Sequence, residues 1–337
     1  MDTKVTRLEL EYMDILQTFL QYKSEQGLYL AQQFSRRLLE EQVSPEEFVS
    51  VHRSVLVKLF PNVQGDMLDA FDLLLEVMMG YGLAYREHQS LRDRQLELES
   101  EIDVAASMQQ TLLPDKVPDT NKIDIGVVSV PANKMSGDFY HFIQGADNRI
   151  GIAIADIIGK GVPAALCMSM IKYAMDSLSQ LSQQPGAMLE NVNRVVEQNI
   201  RDNMFITMMY GSYDLQNDVF SYASAGHEPG FFYRAEDDSF EELYAKGIVL
   251  GLASGTTYKE FTKSFNVGDF VVLLSDGVTE SRNHNRFIER EEIVMLLRRH
   301  MHESAQSIVQ NIYEEMSKWQ GYELKDDFTM IVLKRKV

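Results

Sequence analysis

Several residue types are scarce in this chain of 337 residues, and each scarcity removes a class of protein. There is one cysteine, Cys167, so an intramolecular disulfide is impossible and a disulfide-stapled secreted fold is excluded. Only 8 prolines and a hydrophobic content of 45% indicate a folded chain. No apolar run approaches the ~18 residues of a membrane span, and the first residues lack the apolar core of a signal peptide. We therefore expect a cytoplasmic protein that does not use a membrane.

Basic residues are also few, because 32 Lys and Arg face 50 Asp and Glu, for a net charge of −18. Lys and Arg form no run longer than the three residues KRK at 334–336, which makes nucleic acid and anionic membranes poor partners. The acidic residues are spread along the chain and form no separate acidic tail. This distribution is typical of a solvated protein surface.

The apolar pattern divides the chain into three regions. Residues 1–84 show helical spacing and almost no strand pattern, which predicts a small all-α bundle. Within it, SPEE at 44–47 is a helix start with a capping box. A last helix is predicted near 67–85. Residues 85–118 predict a linker helix. Residues 119–337 alternate strands and helices with hairpin-like strand pairs, which predicts an α+β domain whose helices cover antiparallel sheets.

The linker helix, predicted as continuous over 86–113, carries an imperfect heptad pattern. Its a and d positions are Leu91, Leu98, Ala105 and Leu112, and Gln95, Ile102 and Gln109. Polar residues at two d positions weaken a coiled-coil seam. Two interpretations stay open: a solvated connector packed on a neighbouring surface, or a marginal parallel dimer seam that a partner makes or breaks.

Four aspartates occupy the same kind of position, where an apolar strand meets a turn. They are Asp138 in SGDFY, Asp156 at the end of RIGIAIAD, Asp276 in LLSDG and Asp326 in DDFTMIVL. If the strand ends meet, such like charges require protonation or a cation. Oxygen ligands without His or Cys favour Mg²⁺ or Mn²⁺, and two such ions support phosphoryl displacement by water. One Asp before Gly is commonly a turn residue, so it is the set of four that predicts a metal site.

In chain order, SGDFY, ADIIGKGVPAAL, ASAGHEPG, LLSDGVTE and DDFTMIVL resemble the motifs of PPM-type metal-dependent serine/threonine phosphatases, in their SpoIIE-like bacterial branch. The resemblance covers residues 120–337 and implies a β-sandwich flanked by helices, with two Mn²⁺ or Mg²⁺ ions in the cleft between the sheets. It implies a ligand set in which Asp156 bridges both ions beside the Ile157 carbonyl, Asp138 completes the shell of the second ion, and Asp276 and Asp326 hold the first. Asp156 and Asp276 are thereby the expected catalytic residues.

Three further residues have two possible roles each. Lys160, in GKG, could meet the substrate phosphate or be a solvated turn lysine. His227, in GHEPG, could be a general acid or could fix its turn through ring hydrogen bonds. Asp327 stands where relatives often have Asn, which leaves its role as a ligand open.

The resemblance implies hydrolysis of phosphoserine on a phosphorylated anti-sigma-factor antagonist of the RsbV type. With the helical bundle and linker in front, the layout resembles activator phosphatases of the bacterial general stress response. This implies activation by an RsbT-like kinase on residues 1–84 and a homodimer through 85–118, with the signal reaching Asp156 through the helix at 163–181. The alternatives are a catalytically silent phosphoprotein-binding module and a two-metal nucleotidyl cyclase or nuclease. The four retained aspartates disfavour the first, and the lack of a basic groove disfavours the second.

Overall fold

The computed structural model describes residues 3–23, 25–41, 43–62, 65–144, 148–178, 184–199, 204–283 and 286–336. The chain divides into two compact units, Met1–Leu98 and Glu99–Val337. Helix α4 (Gly65–Gln110) contributes residues to both units. None of the helices in the described ranges is both long and apolar enough to cross a membrane.

The first unit is helical, as predicted. Helices α1 (Thr3–Tyr22), α2 (Glu25–Glu40) and α3 (Pro45–Leu59) precede α4, and a small core is formed by Leu8, Ile15, Phe34 and Leu38. Ser44 caps α3, and the predicted capping box with Glu47 is present. His52 Nδ1 lies 2.8 Å from the hydroxyl of Tyr12, so this histidine belongs to the packing of the bundle.

The sequence predicts two helices, over 67–85 and 86–113. The structure has a single helix of 46 residues there, α4. No proline stands between the two predicted helices, and the helix continues through Gly80 and Gly82. The helix ends at Gln110, and Leu112, predicted at a heptad a position, lies beyond it.

The second unit contains two five-stranded antiparallel sheets. In spatial order, the first sheet comprises β1 (Ile123–Val130), β12 (Phe328–Arg335), β9 (Phe270–Leu274), β6 (Gly230–Arg234) and β7 (Ser239–Leu243). The second comprises β2 (Asp138–Gln144), β3 (Arg149–Ile157), β4 (Ile206–Asp214), β5 (Val219–Ala225) and β8 (Phe261–Ser264). A short ribbon pairs β10 (Arg282–Asn283) with β11 (Arg286–Phe287).

The two sheets pack face to face and helices cover both outer faces. Helices α5 (Val162–Leu178) and α6 (Pro185–Asn199) share an apolar core with the second sheet, and α8 (Arg290–His300) and α9 (Ala305–Trp319) share one with the first. A third core lies between the sheets. The predicted helix-flanked β-sandwich is confirmed; residues 179–181 and 200 of two predicted helices lie outside the described residues.

Strand β3 explains why an apolar run ends in a carboxylate. Ile150, Ile152 and Ile154 face the other sheet, and Ala153, Ala155 and Ile157 face the helices, so the strand is buried on both sides. Side chains alternate along a strand, which places Asp156 on the same face as the isoleucines. The carboxylate therefore points between the two sheets.

Candidate active site

The first two predicted ligands, Asp138 and Asp156, form a cross-strand pair. Strands β2 and β3 are antiparallel, and Asp138 is the direct partner of Asp156 in their register. Directly opposite side chains lie on the same face of a sheet, only about 5 Å apart at their Cβ atoms. The two carboxylates therefore both face the cleft between the sheets.

Asp138 is the most enclosed of the four predicted carboxylate ligands, with 2% of its surface exposed. Burial raises the pKa of its carboxyl well above the ordinary value, and the charges of Asp156 and Asp327 add to the shift. Hydrogen bonds from Ser275, which follows β9, and from Thr329 on β12 offset part of it. Its Oδ2 atom is buried and has no hydrogen-bond partner in the described structure.

The pKa of Asp156 is raised by burial and by the negative charges of several neighbouring aspartates. Burial is the main cause that raises its pKa to about 7, and the charges of Asp276, Asp326 and Asp327 contribute. Asp276, the first residue of α7 (Asp276–Thr279), also has a raised pKa, through burial and then the charges of Asp326 and Glu280. The fold thus brings the four predicted aspartates into one electrostatic neighbourhood.

The chemistry of these donors fits a hard cation. They are carboxylate oxygens that repel one another, and a buried Asp138 oxygen lacks any partner. Within the described ranges, no three or more His, Cys, Asp or Glu side chains are grouped closely enough to hold an ion. The ligand set of Asp138, Asp156, Ile157, Asp276 and Asp326 therefore stays a prediction.

Gly137 allows the backbone to pass over this group. A Cβ atom at this position would lie 3.1 Å from the carbonyl oxygen of Ile157 and 3.2 Å from Oδ1 of Asp156. The Gly137 carbonyl in turn accepts a hydrogen bond of 3.1 Å from the Ile157 N–H. The absence of a side chain therefore keeps the two predicted oxygen donors clear.

Comparison with known proteins assigns the family. The model described as Stage II sporulation protein E (SpoIIE) matches residues 146–336. The chain is 52% identical over 330 residues to phosphoserine phosphatase RsbU of Bacillus subtilis (strain 168), which covers 98% of both chains. The chain belongs to the SpoIIE family of PPM-type phosphatases. It is therefore an enzyme of the protein-serine/threonine phosphatase class and is RsbU-like.

Other matches agree with both parts of the fold. The model for the N-terminal domain of phosphoserine phosphatase RsbU matches residues 10–84. The SiaA-PP2C domain of Pseudomonas aeruginosa superposes with a TM-score of 0.60 at 19% identity, covering 72% of this chain and 98% of that one. The RsbU and RsbW domains of a Mycobacterium tuberculosis protein give 0.56 at 22% identity, covering 67% and 63%. At these low sequence identities, the superpositions show a similar fold and nothing more.

Asp327 has a role different from its neighbour Asp326. It is 4% exposed, and its two carboxylate oxygens accept backbone hydrogen bonds from Ala132 at 2.7 Å and Gly137 at 2.6 Å. Asp326 precedes it at the rim of the cleft, with 42% of its side chain exposed. Asp327 therefore holds the segment that leads into β2, and within the described residues Asp326 does not contact that segment in the same way.

Lys160 lies at the site as the partner of Asp326. Its Nζ is 3.0 Å from Oδ1 of Asp326, and this hydrogen bond is the main cause that raises the lysine pKa. About half of the lysine side chain is exposed, so the ion pair is screened by solvent. The ammonium group thus lies beside a predicted ligand and is open to solvent.

His227 is not placed to act as a general acid. The ring is buried, and burial lowers its pKa to about 4, so the side chain is neutral at physiological pH. Its Nδ1 lies 2.8 Å from the hydroxyl of Thr207, and its backbone N–H donates to Ser224. These contacts support the interpretation in which the histidine fixes its turn.

Sequence reasoning missed one buried contact at the site. Gln109, near the end of α4, is 5% exposed and is hydrogen-bonded to both backbone groups of Ser136. The heptad pattern left open whether the linker helix packs on a neighbouring surface or pairs with a second chain. For Gln109 these hydrogen bonds favour the first interpretation, because its amide is occupied within its own chain.

Proposed function

We propose that this enzyme hydrolyses phosphoserine on a phosphorylated anti-sigma-factor antagonist of the RsbV type, as part of a general stress response. The 52% identity to phosphoserine phosphatase RsbU, over nearly the whole of both chains, supports this assignment. The match of residues 10–84 to the N-terminal domain of that phosphatase supports the second part of the proposal, in which an RsbT-like kinase binds residues 1–84 and activates the enzyme.

One observation carries the catalytic part. Asp138 and Asp156 face each other between the sheets, Asp276 and Asp326 add their charge, and one buried oxygen of Asp138 has no partner. In the proposal, these four carboxylates and the Ile157 carbonyl hold two Mn²⁺ or Mg²⁺ ions. Such ions, when bound, supply Lewis-acid stabilisation of charge on the phosphoryl oxygens and lower the pKa of the attacking water.

The protein's own groups complete the site. Lys160 lies beside Asp326 with an exposed ammonium group, where it attracts the phosphate dianion. The buried His227, whose pKa is lowered by burial, is given no proton-transfer role in the proposal. No covalent phosphoenzyme is needed, and the buried Cys167 is not a nucleophile.

The proposed homodimer uses the 85–118 segment. Leu91 and Leu98 are each 59% exposed along α4, although they are large apolar residues in a heptad a register. A second copy of the same helix would cover them. Gln109 is not part of this seam, so the pairing we propose is confined to the helix before it.

The test is phosphate release from a phosphoserine-bearing antagonist protein, in Mn²⁺ and in chelator, with and without the kinase-like partner. The variants are Asp276→Asn and, as a matched control, the exposed Asp237→Asn in the β6–β7 turn. We expect release that needs metal and Asp276, is indifferent to Asp237, and rises with the partner. No release in any condition, with the antagonist still bound, would favour the silent binding module; turnover of nucleotide instead would favour a cyclase.

A further inference from the structure

Gln109 forms a two-sided amide clamp on the segment that leads into β2. Its Nε2 donates to the Ser136 carbonyl at 2.7 Å, and its Oε1 accepts from the Ser136 N–H at 2.9 Å. Gln109 is 5% exposed and Ser136 is 9% exposed, so neither bond competes with bulk water. A buried amide is costly unless it is paired, and here both ends are satisfied by one residue.

The clamped residue is connected directly to a predicted ligand. The Ser136 hydroxyl accepts a hydrogen bond of 3.0 Å from the backbone N–H of Asp138. Between them, Gly137 donates to Asp327, the residue just before β12, and accepts from Ile157 on β3. The approach to Asp138 is thus fixed from three elements, and α4 is one of them.

Two more contacts join the end of α4 to its surroundings. Nε2 of Gln109 lies 3.2 Å from the sulfur of Met168, a fully buried residue of α5. Asp103, on the same helix, pairs with Lys134 at 2.5 Å, but both side chains are more than half exposed. The exposed pair is screened by water, so the buried Gln109 clamp is the contact that can fix the segment.

We infer that Gln109 is a positioning residue for Asp138, and that the end of α4 thereby sets how well the site takes up its divalent cation. The inference rests on the proposed function for the role of Asp138. Gln109 touches neither substrate nor ion and acts through Ser136. Without the clamp, the Ser136–Asp138 backbone loses one of its three supports, and the carboxylate can move away from Asp156.

Substitution of Gln109 by leucine distinguishes the two interpretations of the linker helix. If Gln109 faced a partner helix, a leucine there would strengthen the seam and raise basal activity. Because the amide is occupied by Ser136, leucine instead removes two hydrogen bonds and leaves the buried Ser136 groups unpaired. Gln109→Leu is therefore expected to weaken the site.

The experiment compares full-length wild type, Gln109→Leu and Gln110→Leu, whose side chain is exposed at the neighbouring position. Mn²⁺ binding is measured by titration calorimetry without substrate, and backbone hydrogen exchange is followed over 132–140. Loss of an outer-shell partner commonly lowers metal affinity by about tenfold or more. We expect at least that loss and faster exchange in Gln109→Leu, with Gln110→Leu like wild type.

Thermal unfolding in chelator separates positioning from a general loss of structure. If Gln109→Leu does not fold, Gln109→Met, which keeps an unbranched side chain of similar length, replaces it. Met168→Leu, which removes only the sulfur contact, is expected to bind Mn²⁺ normally. Unchanged Mn²⁺ affinity in a folded Gln109 variant would overturn the inference, even if phosphate release were established.

The two proposals fail separately. A wild type that binds Mn²⁺ in a Gln109-dependent manner but releases no phosphate would contradict the proposed function and support the positioning role. A wild type that takes up no Mn²⁺ would overturn both.

Discussion

Asp138 and Asp156 lie directly opposite each other on adjacent antiparallel strands, and both carboxylates face the cleft between the two sheets. Like charges that lie directly opposite each other on adjacent strands destabilise a sheet. Here the strands are held in register by buried residues on either side, among them Phe139 and Ala155, which are paired next to the two aspartates. The apolar packing of the sandwich thus maintains an arrangement that the two carboxylates alone would oppose.

The first prediction concerns Asp138→Asn. In chelator, the variant should have a higher free energy of unfolding by at least about 1 kcal/mol, because it removes a buried charge next to Asp156, and one pKa unit corresponds to ~1.4 kcal/mol. Its phosphatase activity should be lost. Urea unfolding at pH 7.5 measures the first effect, and phosphate release measures the second.

Added Mn²⁺ is the internal control for this prediction. A ligand that binds only the folded state stabilises it more when it binds more tightly, so wild type should gain stability and Asp138→Asn should gain less. Asp237→Asn should follow wild type in both conditions. A variant that is less stable than wild type in chelator would contradict the account of Asp138 as a repelled carboxylate.

The second prediction separates the adjacent aspartates 326 and 327. Asp327→Ala leaves the N–H groups of Ala132 and Gly137 without their acceptor and should lower the free energy of unfolding by about 2 kcal/mol or more. Asp326→Ala, at the exposed rim, should leave stability nearly unchanged and lower activity through metal uptake.

Urea unfolding and Mn²⁺ titration of the two alanine variants check this division. Asp327→Asn keeps one carbonyl oxygen and should fall between wild type and Asp327→Ala in stability. Equal losses of stability in the two alanine variants would show that Asp327 does not hold the segment before β2.

The third prediction is steric and concerns Gly137→Ala. The added methyl group would lie 3.1–3.2 Å from the Ile157 carbonyl and the Asp156 carboxylate, closer than ordinary contact. We expect weaker Mn²⁺ binding and a fall in phosphate release of about tenfold or more, which is the usual effect of disturbing the residues that support metal ligands.

Gly80→Ala is the matched control for Gly137→Ala. No atom lies within 4 Å of a Cβ placed at Gly80 in α4, so the substitution should stabilise the helix by about 0.5–1 kcal/mol. Activity should not change. Normal Mn²⁺ affinity in Gly137→Ala would mean that the predicted oxygen donors do not need this clearance.

The strands that carry the site could be predicted because their patterns are strong. β3 reads as an apolar run because it is buried on both faces, and the stretch RIGIAIAD lies within the observed strand. β7 (SFEEL) and β8 (FTKS) escaped detection, since edge strands are short and carry charged residues. The sandwich could thus be inferred from its central strands, and its edges could not.

The division of roles inside the site was less accessible to sequence reasoning. Positions 326 and 327 are both aspartate, so the sequence does not distinguish their roles. Their roles differ because the start of β12 lies beside the segment before β2, where Asp327 accepts hydrogen bonds. Gln109 and Ser136 are 27 residues apart, and their pairing follows from tertiary structure. A polar residue in a helical heptad indicates that something unusual faces it, but the pattern does not say what.

The last prediction concerns pH and a cluster remote from the cleft. His300, at the end of α8, has 12% of its side chain exposed and lies 2.8 Å from carboxylate oxygens of both Glu303 and Glu315. Burial alone would lower the pKa of the ring, but the two carboxylates outweigh it and raise the pKa above the ordinary 6.5. The protonated ring is therefore the form that the fold prefers.

A raised pKa in the folded state contributes stability that is fully present below the unfolded value and is lost as pH rises through the folded value. His300→Gln should thus lower the free energy of unfolding by about 1 kcal/mol at pH 5.5–6, and the difference from wild type should shrink by pH 8.5. Urea unfolding in chelator across this range measures it, with the exposed His302→Gln as the control. A difference between wild type and His300→Gln that stays constant with pH would show that the ring is neutral in the folded protein and that its two carboxylate contacts are ordinary hydrogen bonds.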